Sequence, residues 1–135
     1  MPNKECHLAI AKRNQELIDD LIARGNTHPE WVAEIAFYKA LHIVDAVLFM
    51  NHSDKHGGSH DSRGRILKTT HRYQNIYNHY RPLFAASLVG RYLEHSSNGC
   101  KCFADYMSAQ EVVEKLLNHH LKQLEKSAER FIGPI

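Results

Sequence analysis

Between Trp31 and Met50 the chain is apolar almost all the way round a helix, and only Glu34, Lys39, His42 and Asp45 interrupt it. A helix that is apolar on every side must be covered on every side, so this segment predicts the central element of a helical bundle. Its length would reach across a bilayer, but each of those ionisable groups would be costly at membrane depth. A bundle away from any membrane, in the cytoplasm, is the expectation. Charges buried without partners are expensive, so the four groups are expected to be paired or functional.

The rest of the chain supplies the cover. Leu8, Ala11, Leu17, Ile18, Leu21 and Ile22 form an apolar stripe on a first helix from Lys4 to Arg24, which Gly25 stops. Thr27 and Glu30 match a capping box for the second helix, which should continue to Met50. Asn51 to Ser62 reads as a loop broken by Gly57-Gly58. A third helix is predicted from Arg63 to Tyr80, with Ile66, Thr70, Tyr73, Tyr77 and Tyr80 inward. Pro82 is expected to break or kink the chain into a short fourth helix ending near Leu93. Ser108 and Glu111 form a second capping box, opening a last helix to Phe131. No segment alternates with period two for long enough to be a strand. The fold class is therefore all-α: an antiparallel four-helix bundle with a short or kinked extra helix, in one domain spanning residues 1–135.

A formal charge of +2 is too small to mark a nucleic-acid binder by itself, but eleven histidines would add positive charge slightly below neutral pH. Cys6, Cys100 and Cys102 are an odd number and do not form a CxxC pair, so they read as reduced thiols. The first residues lack the apolar run of a signal peptide.

Glu34, Tyr38, His42 and Asp45 recur four, four and three apart, which places them on one side of the second helix. They read either as a polar groove able to hold a cation or a phosphate, or as interior groups satisfied by neighbouring helices. His52, His56 and His60 recur every four residues and, with Asp45 or Asp61, would make a zinc site on a helix. The glycines make that helix unfavourable, so a surface loop without metal is the preferred reading. Arg63, Arg65, Lys68, His71 and Arg72 make the start of the third helix basic and suited to phosphate. The tyrosines at 73, 77 and 80 could stack on bases, although their spacing favours the core. No GxSxG elbow, Gly-rich phosphate loop, HExxH or pair of ExxH motifs is present. No cofactor is therefore expected.

Ala36-Phe37-Tyr38-Lys39-Ala40-Leu41-His42, the histidine-bearing loop ending in His60-x-x-Arg63, Tyr80-x-x-Leu83 and Ser87-x-x-x-Arg91-Tyr92 occur in an order that resembles the HEPN-domain proteins of prokaryotes. The likeness spans roughly residues 31 to 95 and is strongest to small, poorly characterised single-domain members. It implies an antiparallel helical bundle, a homodimer, and RNA or nucleotide chemistry. It also implies a place in a toxin–antitoxin or defence system, with a small nucleotidyltransferase as partner protein. Members that cleave RNA without metal carry an arginine, four to six intervening residues, then a histidine. Arg65 with His71, and Arg72 with His79, match by count, whereas Arg91 to His95 is one residue too short.

Two functional readings follow. In the first, the chain binds RNA or nucleotide phosphate in a groove formed by His42, Asp45, His56, Tyr80 and Arg91 beside His60 and Arg63. In the second, it is a metal-independent endoribonuclease in which His60 acts as acid or base and Arg63 stabilises the phosphorane charge. Histidine-loop metal binding is a third reading, from a different class. Arg91 is also expected to pair with Asp45 or Glu34 as a structural ion pair.

Overall fold

The structure is a computed structural model that describes residues 3–51, 59–92 and 102–135. Helix α1 spans Lys4–Ala23, and the Asn3 side chain caps it by accepting from the Cys6 N–H at 3.0 Å. Gly25 (φ 98°) and Asn26 (φ 52°) take left-handed backbone and reverse the chain. Helix α2 spans Pro29–Asn51. Its first free N–H groups, of Trp31 and Val32, donate to the His28 carbonyl, so His28 precedes the helix and Pro29 fills its first position. Thr27, the expected cap, therefore lies one residue outside the position that His28 takes.

Residues 60 to 92 depart from expectation. Helix α3 spans His60–Thr69, a 3-10 turn follows at His71–Tyr73, and α4 runs unbroken over Gln74–Tyr92. The break falls at Thr70, not at Pro82. Thr70 is extended (φ −102°, ψ 111°), and the Thr69 hydroxyl donates to the Arg65 carbonyl at 2.7 Å, the back-bonding by which threonine perturbs a helix. Pro82 lies inside α4, where its missing N–H leaves the Asn78 carbonyl without its helical donor. Tyr80, Leu83, Ala86, Ser87 and Val89 nevertheless stay buried along one side of α4. Their burial, worth about 1.5–3 kcal/mol for each large side chain, outweighs a proline penalty of about 3 kcal/mol.

Helix α5 is a single turn, Phe103–Tyr106, anchored by the buried Phe103. Helix α6 is continuous through Ala109–Glu111, Val112–Leu121 and Lys122–Ile132. Its expected capping box forms: Ser108 Oγ accepts from the Glu111 N–H at 3.1 Å, and Glu111 Oε1 accepts from the Ser108 N–H at 3.2 Å. The middle segment is π-helical, which the sequence analysis did not anticipate.

The fold is an all-α bundle, with four long helices among the described residues. Helix α2 is the central one, with fourteen buried residues against three in α1. On one side α1 runs antiparallel to α2, joined to it by His7–His42 and Gln15–Lys39 contacts. On the other, α4 is also antiparallel: its start meets the end of α2 through Arg72 and the Asn51 carbonyl (2.8 Å), and its end meets Glu34 through Arg91. Helix α6 runs in the same direction as α2, tied at its start to Asn26 and near its end to Asn51. Lys39, buried on α2, donates to Gln15 Oε1 (2.7 Å) and pairs with Glu125 of α6. No helix among the described residues is long and apolar enough to cross a membrane.

A loop of residues 51–62 followed by a helix leaves open where along α2 the start of α3 lies, and a start near the end of α2 would be the simplest antiparallel arrangement. Instead, the His60 ring packs against Phe37 and Phe84, with centroids at 5.7 and 5.4 Å, and Arg63 reaches Asp45. The first turn of α3 thus lies against the middle of α2.

Candidate functional site

Glu34 and Asp45 are eleven residues apart, about three helical turns, so both project from the same side of α2 toward α3 and α4. They acquire different partners. Arg63 donates from Nε to Asp45 Oδ1 at 2.7 Å and from Nη2 to Oδ2 at 2.9 Å. Both side chains are only 6% exposed, so this is a sealed, two-pronged pair. The Tyr80 hydroxyl is buried beside it, and burial raises its pKa to about 12 against the lowering influence of Arg63. Arg63, expected to face substrate, is instead committed to Asp45.

Arg91 takes the other carboxylate. Its Nε lies 3.5 Å from Glu34 Oε2, with the Arg91 side chain 24% exposed and Glu34 5% exposed. The pair is looser than Asp45–Arg63. Burial pushes the Glu34 carboxyl up to about 7, with Arg91 opposing the rise. A cavity of about 210 Å³ opens here, between Trp31 and Gly90. A Cβ on Gly90 would lie 3.1 Å from Glu34 Oε1 and 3.4 Å from the Glu30 carbonyl oxygen, whereas one on Gly64 would meet nothing within 4 Å. Gly64→Ala is therefore expected to stabilise by about 0.5–1 kcal/mol through helix propensity, and Gly90→Ala to destabilise by about 1 kcal/mol despite the same propensity gain. Urea unfolding of the two variants checks the opposite signs.

His60, the first residue of α3, lies within electrostatic reach of both arginines. Burial first, then Arg63 and Arg91, lower its pKa and so favour its neutral form. It stands at the edge of a groove of about 350 Å³ between α3 and α4. The groove follows from two helical repeats: Asp61, Gly64, Arg65 and Lys68 share one side of α3, while Tyr77, Tyr80, Arg81 and Phe84 share one side of α4. Three exposed cations, Arg65, Lys68 and Arg81, thus line a trough with aromatic walls, and Asp61 is its one carboxylate. Gly64, lacking a side chain, keeps the α3 wall low. Arg65 and Lys68 belong to the basic run visible in the sequence, whereas Arg81 follows Tyr80, the expected end of the third helix, and carries no such signal.

His42 reaches α1. Its Nδ1 is 3.0 Å from Nδ1 of His7 on α1, although burial, Asp45 (raising) and Arg63 (lowering) all act on its pKa, with a net lowering. The structure therefore gathers Asp45, His60, Arg63, Tyr80 and Arg91 around one junction of α2, α3 and α4, and sets His42 against α1. Of these five, only His60 and Tyr80 line the groove. His52 and His56 lie outside the described residues. Among the described residues, His60 belongs to no cluster of three metal-binding side chains.

Comparison of the chain with protein-family models, with curated proteins and with solved structures gives no match.

Proposed function

We propose that this chain is a HEPN-like helical module that binds the phosphates of RNA or of a nucleotide in the groove between α3 and α4. The observation that carries the reading is the convergence of Arg65, Lys68 and Arg81 on a trough walled by Tyr77 and Phe84. Cations neutralise phosphate and aromatic faces accept bases, a combination that binds single strands with little sequence preference. The sequence resemblance between residues 31 and 95 supports the same class. A homodimer, a nucleotidyltransferase-type partner and a role in a toxin–antitoxin or defence system belong to this proposal through the resemblance alone.

The test is titration with RNA oligonucleotides and nucleotides at several salt concentrations. Three phosphate contacts on a single strand predict a log–log slope of about −2. The triple variant Arg65→Ala/Lys68→Ala/Arg81→Ala should weaken binding at low salt by at least about tenfold and flatten that slope. All three side chains are exposed, so the fold should persist. Salt-insensitive binding, or binding unchanged in the triple variant, would refute the groove assignment.

One observation favours catalysis as a second reading: His60 stands at the edge of the cationic trough, where partial burial, Arg63 and Arg91 lower its pKa and so favour the form a general base requires. Arg63 is committed to Asp45, so Arg65 or Arg81 would face the phosphorane charge. Cleavage of RNA in chelator that disappears in His60→Ala while oligonucleotide binding persists would support this reading over simple binding.

A further inference from the structure

We propose that His79, His119 and His120 form a binding site for a zinc-like divalent cation bridging α4 and α6. His79 lies in the second turn of α4, and His119 and His120 lie in the π-helical segment of α6 that faces it. Forty residues separate the two elements along the chain, so nothing local in the sequence announces the cluster.

The geometry carries the proposal. One ligand atom from each imidazole can be chosen so that all three lie within 4.8 Å of one another. His79 Nδ1 and His120 Nδ1 are already 3.1 Å apart. In a tetrahedral zinc site with bonds of about 2.0–2.1 Å to nitrogen, neighbouring donor atoms stand about 3.3 Å apart, so this pair is close to one edge of a coordination tetrahedron. His119 is exposed, so a side-chain rotation brings in the third donor without repacking the core. The rings already crowd together, with centroids 5.3 Å apart for His79 and His120, 5.4 Å for His79 and His119, and 4.6 Å for His119 and His120.

The π segment explains how consecutive residues converge on one partner. Successive side chains on an α-helix point about 100° apart, and the wider π turn reduces that to roughly 80°. Both histidines of α6 can therefore address His79, and π segments recur where a helix serves a function. A metal takes neutral imidazole, the form histidine ordinarily holds above its unperturbed pKa. Three imidazoles and no carboxylate suit zinc, nickel or copper over magnesium or calcium. Three protein ligands leave the fourth position for water or an exogenous donor, the open form of a zinc site. The site is separate from the phosphate groove: Tyr77 and Arg81, two residues to either side of His79, line that groove, so His79 points away from it.

Full-length chain without an affinity tag, stripped by chelator, would be titrated with Zn²⁺ alone by calorimetry and thermal unfolding. The expected result is a single equivalent bound per chain, with a rise in Tm of several degrees, because the metal binds only the folded arrangement. His119→Gln should weaken Zn²⁺ binding at least tenfold while leaving the metal-free Tm unchanged, since its side chain is exposed. His79→Gln and His120→Gln should do the same to binding. A His52→Gln/His56→Gln chain should keep full affinity. Co²⁺ in place of zinc should give the intense visible band of tetrahedral coordination, lost in the same three variants. Failure to bind Zn²⁺ at micromolar concentration, or affinity unchanged by His119→Gln together with His79→Gln, would overturn the proposal. Binding lost only in the His52→Gln/His56→Gln chain would overturn it as well.

Discussion

Asp45→Ala is expected to destabilise the fold by about 3–5 kcal/mol, because it leaves the Arg63 guanidinium buried without its counter-charge. Arg63 cannot shed a proton, and its side chain, 6% exposed, cannot reach water without pulling the first turn of α3 off α2. The large single-variant effect is the cost of orphaning a charge and does not measure the net value of the pair. Replacing both partners with apolar residues, Asp45→Leu with Arg63→Met, should recover most of the loss or exceed the parent stability. Urea unfolding of the parent, the single variant and the double variant distinguishes these cases. A loss under about 1 kcal/mol in Asp45→Ala would mean that water reaches the pair.

Glu34 should make the protein less stable as pH rises toward 7. Its carboxyl titrates at about 7 in the folded chain against an ordinary value of 4.5, because burial disfavours the carboxylate more than Arg91 favours it. Between those values the folded state holds a proton that the unfolded state has released. The stabilisation is fully present below pH 4.5 and is lost as pH climbs through about 7, amounting to about 3 kcal/mol. Glu34→Gln keeps the shape and abolishes the titration. Its stability should lack the fall that Glu34 contributes, leaving the rise with pH that the lowered histidines contribute, and should exceed the parent's at pH 8. Arg91→Ala should steepen the dependence, since the guanidinium that favours the carboxylate is gone. Thermal unfolding at pH 5 and pH 8 for the three chains reads out the effect. A parent whose Tm rises across that interval as much as that of Glu34→Gln falsifies the assignment.

The bundle was legible in the sequence wherever a helix announces itself by its apolar pattern and its ends. Helix α2 was recognisable because nothing but a central position suits an apolar surface all round, and the α6 start because Ser108 and Glu111 satisfy each other's backbone. The break at Thr70 was not legible. Ile66, Tyr73 and Tyr80 keep a helical rhythm across it, and a rhythm cannot report that one residue between them is extended. Pro82 misled for the complementary reason: its local cost is plain in sequence, while the packing of Tyr80, Leu83 and Ala86 that outweighs it is tertiary. Glu34, Asp45, Arg63 and Arg91 were identifiable as groups needing partners. Arg91 was given a choice of Asp45 or Glu34, and the structure gives it Glu34. Which cation met Asp45 depended on how far back along α2 the start of α3 lies, and no residue pattern fixes that. Arg81 and the histidines at 119 and 120 went unassigned, and His79 was read only as a motif partner of Arg72, because their spatial neighbours come from helices remote in the chain.

Helix α3 occupies a mechanical position unlike that of the other helices. Only Arg63 and Leu67 are buried along its ten residues, and its C-terminal end is a 3-10 turn that leads directly into α4. Helix α2 cannot shift without exposing apolar surface on some side, and α4 carries six buried residues of its own. The hold of α3 on the bundle rests on Leu67 and on the sealed Asp45–Arg63 pair, with the extended Thr70 between it and α4. Arg65 and Lys68 project from α3 and Arg81 from α4, so the placement of the one helix against the other sets the spacing of the cations across the trough.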